Sequence, residues 1–183
     1  MKWQKMKKIQ ILVITLLTTM LISQSVMAFG TNKKLDFAKG EADAEASKIL
    51  YEYVLQEQGM TPVEIKSFAG IEPQSAKAFE VDLNDDGINE IIGFVNSTLY
   101  WGTAGYSLFI LQKQPNGYKN IAYLLNFEPQ KDFYILNTGT NGYRNIKLHG
   151  SSAYKFKPFT VKYEDGHYRN NSQTKSLENS LQQ

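Results

Sequence analysis

The chain has 183 residues, no cysteine, and 20 Lys and Arg against 18 Asp and Glu. Four of the lysines and none of the acids lie in residues 1–28, so the remaining 155 residues carry 16 basic and 18 acidic side chains, a net charge of −2. This balance removes the electrostatic basis for nucleic-acid binding, and the missing cysteines exclude a disulfide framework, a thiol nucleophile and a lipidated cysteine.

The first 28 residues have the pattern of a secretory signal peptide. Lysines crowd the first eight positions, an apolar run follows at 9–22, and small residues at Val26 and Ala28 precede the expected cleavage site. The alternative is a transmembrane anchor, but the apolar run is shorter than the roughly 20 residues that a spanning helix needs. We therefore expect cleavage after Ala28 and a periplasmic or secreted mature protein without a membrane anchor.

A flexible leader is predicted at 29–39, followed by a helix at about 40–58. Apolar residues recur there at the three- and four-residue spacing of one helical face: Ala46, Ile49, Leu50, Tyr53 and Val54. Gly59 is expected to end the helix, and Pro62 cannot continue it.

After Pro73 the pattern changes to short alternating or β-branched runs separated by turn residues. The predicted strands lie at about 79–83, 90–96, 106–113, 118–125, 133–137, 143–150, 154–164 and 167–169. Asn141-Gly142 and Asp165-Gly166 are typical hairpin turns. The chain is therefore predicted to form one α+β domain at 40–169. Its N-terminal helix would pack on a meandering antiparallel sheet of about six to eight short strands, with a disordered polar tail at 170–183.

Residues 82–90, DLNDDGINE, place oxygen-bearing side chains at alternate positions and Gly87 at the sharp turn. Alternate residues of a tight loop can converge on a hard cation, which prefers six to eight oxygen ligands. The predicted Ca²⁺ ligands are the side chains of Asp82, Asn84, Asp86 and Glu90 and the backbone carbonyl of Ile88. The alternative is a solvated turn without an ion, since Asp and Gly are common in turns.

The loop resembles the DxNxDGxxE calcium loop of FG-GAP and VCBS-type blades. It is not an EF-hand, because the position of the twelfth-residue Glu is taken by Gly93. The stretch around 78–150 also resembles small exported bacterial proteins of unassigned function, which combine such a loop with a CGxxGC-like turn and a later TNGW. Here the corresponding segments are WGTAGY (101–106) and TNGYRNIKL (140–148). In place of the cysteine pair stand Trp101 and Tyr106, whose packing could substitute for the crosslink.

Aromatic residues cluster near the glycine-rich turn at 101–106. Tyr100, Trp101 and Tyr106 flank it, and Tyr143 begins a later strand. Any one of them could be an ordinary half-buried strand residue. Together they are the predicted contact residues for a protein or glycan partner.

No nucleophile elbow, P-loop or dinucleotide fingerprint occurs in the chain, so no catalytic residues are predicted. The favoured hypothesis is an exported non-enzymatic binding domain, stabilised by a calcium loop and acting on an envelope or extracellular protein or glycan. An inhibitor or immunity protein is a narrower form of it. The alternatives are an envelope hydrolase that uses carboxylates and a purely structural calcium-stabilised domain.

Overall fold

The computed structural model describes residues 29–39, 42–122, 125–152 and 155–170. The predicted signal peptide and residues 171–183 of the predicted tail lie outside the described residues. The described chain combines α-helices with antiparallel strands, which confirms the predicted α+β class.

The helices are α1 (Ala44–Gln58) and α2 (Pro62–Ala69), followed by a 3₁₀ turn at Pro73–Ser75. The strands are β1 (Lys33–Leu35), β2 (Ala76–Val81), β3 (Glu90–Val95), β4 (Trp101–Gly102), β5 (Gly105–Ser107), β6 (Phe109–Gln114), β7 (Gly117–Asn120), β8 (Asn126–Phe127), β9 (Phe133–Thr140), β10 (Tyr143–His149), β11 (Pro158–Glu164) and β12 (His167–Arg169).

These strands divide among three sheets within the described residues, where a single meandering sheet was expected. A five-stranded sheet has the order β1-β9-β10-β11-β12, a four-stranded sheet the order β2-β3-β6-β7, and a three-stranded sheet the order β4-β5-β8. The four-stranded sheet contributes to two hydrophobic clusters, one shared with the helices and one shared with the five-stranded sheet.

The central strand β3 contributes to both clusters. Every residue of β3 is buried. Ile92 and Phe94 face the core shared with the five-stranded sheet, whereas Ile91 and Val95 face the core shared with the helices. A strand that is covered on both faces has a continuous apolar sequence, as residues 91–95 do.

The start of α1 covers the free edge of β2. The Asp43 backbone N–H donates to the carbonyl of Ala78 at 2.8 Å, and the Ala78 N–H donates to the Ser47 hydroxyl at 3.0 Å. The helix can approach this closely because the neighbouring β3 position is Gly93, where a β-carbon would lie 2.8 Å from Leu50. Covering the edge satisfies backbone groups that could otherwise pair with another chain.

Helix α1 begins at Ala44, four residues later than predicted, and ends at Gly59, as predicted. Helix α2 was not predicted, although its start has a recognisable signature. Thr61 and Glu64 form a capping box around Pro62 at the first helical position.

The segment 29–39 differs from the expected flexible leader. It contains β1, which pairs with β9, and both Phe29 and Phe37 are buried. The Arg144 guanidinium donates to the Thr31 carbonyl at 2.7 Å and lies 5.8 Å from the centre of the Phe29 ring. These partners lie about 100 residues away in the chain, so the local sequence gives no sign of them.

Candidate functional site

The loop predicted to bind calcium, residues 82–90, connects β2 to β3 and is called the acidic loop below. The Asp82 carboxylate accepts hydrogen bonds from the backbone N–H groups of Asn84 at 3.2 Å and Gly87 at 2.9 Å. The Asp86 carboxylate accepts from the Ile88 N–H at 2.7 Å. Gly87 has a φ of +82°, in the left-handed region that glycine adopts readily. These three backbone N–H groups of the turn are therefore bonded to side-chain carboxylates and not to backbone carbonyls.

Glu90 is the buried carboxyl of the acidic loop, with a residue exposure of 1%. Its carboxylate accepts a hydrogen bond from the Leu83 N–H at 3.0 Å. Burial raises the pKa of Glu90 to about 7, the Leu83 N–H acts against this rise, and the charges of Asp86 and Asp82 add to it. Among the described residues, no cationic side chain forms an ion pair with any of these three carboxylates. Within the described residues, the acidic side chains of this loop thus have no ion-pair partner.

Asn84 lies between the carboxylates. Its amide oxygen accepts from the Asp86 N–H at 3.3 Å, and its amide nitrogen donates to the Asp86 carboxylate at 2.8 Å. In the described part of the chain, no group of three or more His, Cys, Asp or Glu side chains is gathered closely enough to hold a metal. The four predicted side-chain ligands share one loop, but their carboxylates do not converge into such a group, and the Asn84 side chain is hydrogen-bonded to Asp86.

Tyr143 lies beside the acidic loop. Its hydroxyl accepts hydrogen bonds from the amides of Asn84, at 3.3 Å, and Gln112. Its ring stacks on Tyr163 with 3.9 Å between ring centres. The hydroxyl and one face of the ring are therefore both occupied by intramolecular contacts.

Tyr100, also predicted to contact a partner, packs against the helical layer. Its ring meets Phe109 edge-on at 5.2 Å, and its hydroxyl donates to Glu57 and accepts from Gln58, both at 3.0 Å. Burial, together with the charge of Glu57, raises the pKa of the Tyr100 hydroxyl. This side chain fastens the β3–β4 connection to α1.

Trp101 and Tyr106 lie at the opposite end of β3 from the acidic loop. They face each other across the β4–β5 hairpin with 6.1 Å between ring centres. Tyr106 packs edge-on against Phe94 at 5.1 Å, whereas Trp101 remains 53% exposed. The two rings therefore lie against each other across the hairpin, and the Trp101 ring stays open to solvent.

A groove of about 400 Å³ opens beside Trp101. We call it the Trp101 groove, and it is lined by Ala69, Asn96, Ser97, Thr98, Trp101 and Tyr106. The three polar residues of this set were not among the predicted contact residues. Their one local signal is that a polar run directly follows the apolar strand β3.

The Trp101 groove is held by long-range contacts. The Ser97 hydroxyl donates to the carbonyl of Ala69 at 2.9 Å, which joins the β3–β4 connection to the end of α2. The Ser151 hydroxyl donates to the Thr103 carbonyl at the tip of the hairpin at 3.0 Å. Gly105 has a φ of +107°, and a β-carbon there would lie 2.7 Å from a backbone oxygen of β8. The hairpin therefore presents Trp101 from a fixed backbone.

No family model, curated protein or solved structure matches the chain. In the described residues, neither helix has both the length and the apolar character needed to cross a bilayer.

Proposed function

We propose that this protein is an exported, non-enzymatic binding domain, released by cleavage after Ala28 and stabilised by Ca²⁺ in the acidic loop. The observation that carries the calcium site is Glu90, a buried carboxyl near two further carboxylates and without a cationic partner among the described residues. A charge buried in this way is costly unless it is paired or neutralised. A bound cation would supply the missing counter-charge.

The chemistry of the donors fits a hard cation. Asp82, Asn84, Asp86 and Glu90 offer side-chain oxygens, and Ile88 offers its backbone carbonyl, which are the ligand types that calcium prefers. Bound calcium would neutralise the carboxylates of the loop and connect the end of β2 to the start of β3. The affinity expected for such an extracellular site is on the order of 10⁻⁴–10⁻³ M.

The binding role rests on the exposed indole at the far end of β3. Large aromatic side chains that remain exposed on a rigid backbone are frequent anchors for partners. Trp101 has this character, whereas Tyr100 and Tyr143 are occupied by contacts within the protein. The proposed partner is a protein or glycan of the cell envelope.

The alternative hydrolase would need a carboxyl that a substrate can reach. Glu90 has the raised pKa of a general acid, but its 1% exposure places it under the loop. Its position favours a structural role over a catalytic one. Turnover of cell-wall fragments that disappears in Glu90→Gln, with folding stability unchanged, would reverse this conclusion.

Thermal unfolding in calcium and in chelator tests the ion site. At free calcium ten times the dissociation constant, binding raises the free energy of unfolding by about 1.4 kcal/mol. We expect Asp82→Ala and Asp86→Ala to unfold at lower temperature in millimolar calcium and to become insensitive to chelator.

Asp85→Asn is the matched control, because Asp85 lies between the ligand positions and its φ of +57° is tolerated by asparagine. This variant should keep the calcium response. Equal chelator sensitivity in the Asp82 and Asp86 variants and the parent would contradict the proposed site.

A pull-down from envelope extracts tests the binding role, with Trp101→Ala compared with the parent. Loss of a captured component in the variant, at unchanged melting temperature, is the expected result. Unfolding of the variant would instead place Trp101 in the core and argue against the contact surface.

A further inference from the structure

The Trp101 groove has a lining that restricts the chemistry of its ligand. Asn96, Ser97 and Thr98 offer amide and hydroxyl groups, and Ala69 is small and apolar. No Asp, Glu, Lys, Arg or His is among the described residues that line the groove. A ligand with formal charge would find no counter-charge there, so the lining favours a neutral molecule that carries many hydroxyl or amide groups.

Two polar groups of the lining are available to such a ligand. The Asn96 amide oxygen accepts a hydrogen bond from the Tyr106 hydroxyl at 3.3 Å, which fixes the orientation of the amide. Within the described part of the chain, neither the Asn96 amide nitrogen nor the Thr98 hydroxyl makes a hydrogen bond. A few well-placed polar groups around an apolar surface are the usual composition of a small-molecule site.

Trp101 supplies the apolar surface. The face of an indole ring carries partial negative charge and attracts groups with a positive edge. The C–H face of a sugar ring is such a group, and its hydroxyls point outward to hydrogen-bonding partners. The pairing of an exposed indole with uncharged donors therefore matches a sugar ring lying on Trp101.

We propose that the Trp101 groove binds a neutral oligosaccharide, with one sugar ring stacked on Trp101 and hydroxyl groups bonded to Asn96 and Thr98. This inference rests on the proposed binding function and names the partner class at the same surface. A protein partner is the competing occupant, since Phe68 on the neighbouring α2 is 66% exposed. A protein interface buries about 800 Å² on each partner, and one centred here would extend over Phe68.

The mature chain offers a direct readout, because Trp3 lies in the predicted signal peptide and Trp101 is then the remaining tryptophan. We would titrate residues 29–183, in millimolar calcium, with tetra-N-acetylglucosamine, cellotetraose and maltotetraose, and with tetragalacturonic acid as the acidic counterpart. The expected result is a saturable change in tryptophan emission with at least one neutral oligosaccharide and none with the acidic one.

Calorimetric titration then assigns the contacts. Trp101→Ala should weaken binding about tenfold or more, and Thr98→Val, which removes a hydroxyl at nearly constant volume, about three- to tenfold. Phe68→Ala is the matched control, an exposed ring outside the Trp101 groove, and should leave the affinity unchanged.

Three outcomes overturn the inference. The first is no saturable response to any neutral tetrasaccharide at millimolar concentration, and the second is equal binding of the acidic one. The third is capture of an envelope protein that is lost in both Trp101→Ala and Phe68→Ala, with no response to oligosaccharides. In that third case the binding function stands and the sugar specificity fails. If calcium has no effect on stability while neutral oligosaccharides still bind, only the proposed ion site is wrong.

Discussion

At the start of β3 the chain buries Glu90 to 1% exposure, whereas just beyond its end it leaves Trp101 53% exposed. The buried group is the polar one and the exposed group is the apolar one, the reverse of the usual distribution. The acidic loop therefore holds a buried carboxyl near two others, and the Trp101 groove presents an exposed indole. We propose that an ion stabilises the start of β3 and that a partner binds beyond its end. Four variants separate these two roles.

The largest effect is expected from the pH dependence of stability in chelator. The folded-state pKa of Glu90, about 7, lies above its ordinary value of 4.5, so the native state binds this proton more tightly than the unfolded state. The proton on Glu90 stabilises the native state fully below about pH 4.5. This stabilisation is lost as the pH rises to about 7, and the free energy of unfolding then falls by roughly 3 kcal/mol.

Glu90→Gln keeps the shape and removes the titration. The difference in free energy of unfolding between parent and variant, measured by denaturant at pH 5 and pH 8, should therefore change by about 2.5 kcal/mol. Calcium should restore the parent more at pH 8 than at pH 5, because binding requires the ionised carboxyl. Parallel pH profiles for the two proteins would show that Glu90 is not the buried charge described above.

The next largest effect is expected at the other end of β3. Gly105→Ala forces an L-residue into a φ of +107° and brings its β-carbon against a β8 backbone oxygen, at a cost of about 2 kcal/mol. Gly102→Ala is the matched control, because open space surrounds that position and its backbone is unstrained. Equal stabilities for the two variants, measured by denaturant unfolding, would mean that the hairpin does not hold Trp101 rigidly.

Tyr143→Phe tests whether Tyr143 supports the acidic loop or contacts a partner. The variant removes the hydroxyl that accepts from Asn84 and Gln112 and keeps the stacked ring, so a loss of about 1 kcal/mol is expected. Calcium titration followed by unfolding should show weaker stabilisation, while oligosaccharide affinity stays constant. A change in oligosaccharide affinity without a change in stability would return Tyr143 to the contact surface.

The smallest effect on stability is expected for Trp101→Ala. An exposed side chain that is not needed for the core should change the free energy of unfolding by less than about 0.5 kcal/mol. Melting curves of the variant and the parent should therefore nearly coincide, in calcium and in chelator. A large loss would mean that the contact with Tyr106 stabilises the hairpin.

The sequence by itself determined the local features, because their causes lie within a few residues. Asn141-Gly142 and Asp165-Gly166 adopt the positive φ angles of tight hairpin turns, Gly59 ends α1, and DLNDDGINE forms a loop between two strands. The start of helix α2 is also a local feature, since the Thr-Pro-x-Glu pattern that caps it lies within four residues.

Only the tertiary structure decided which of the aromatic residues are covered and which polar residues surround Trp101. Tyr100 is covered because α1 offers Glu57 and Gln58, and Tyr143 because Asn84 and Gln112 reach its hydroxyl. The Trp101 groove likewise depends on a bond from the β3–β4 connection to the end of α2. These partners are distant in the chain, and the spacing of neighbouring residues carries no information about contacts that form only when separate elements pack.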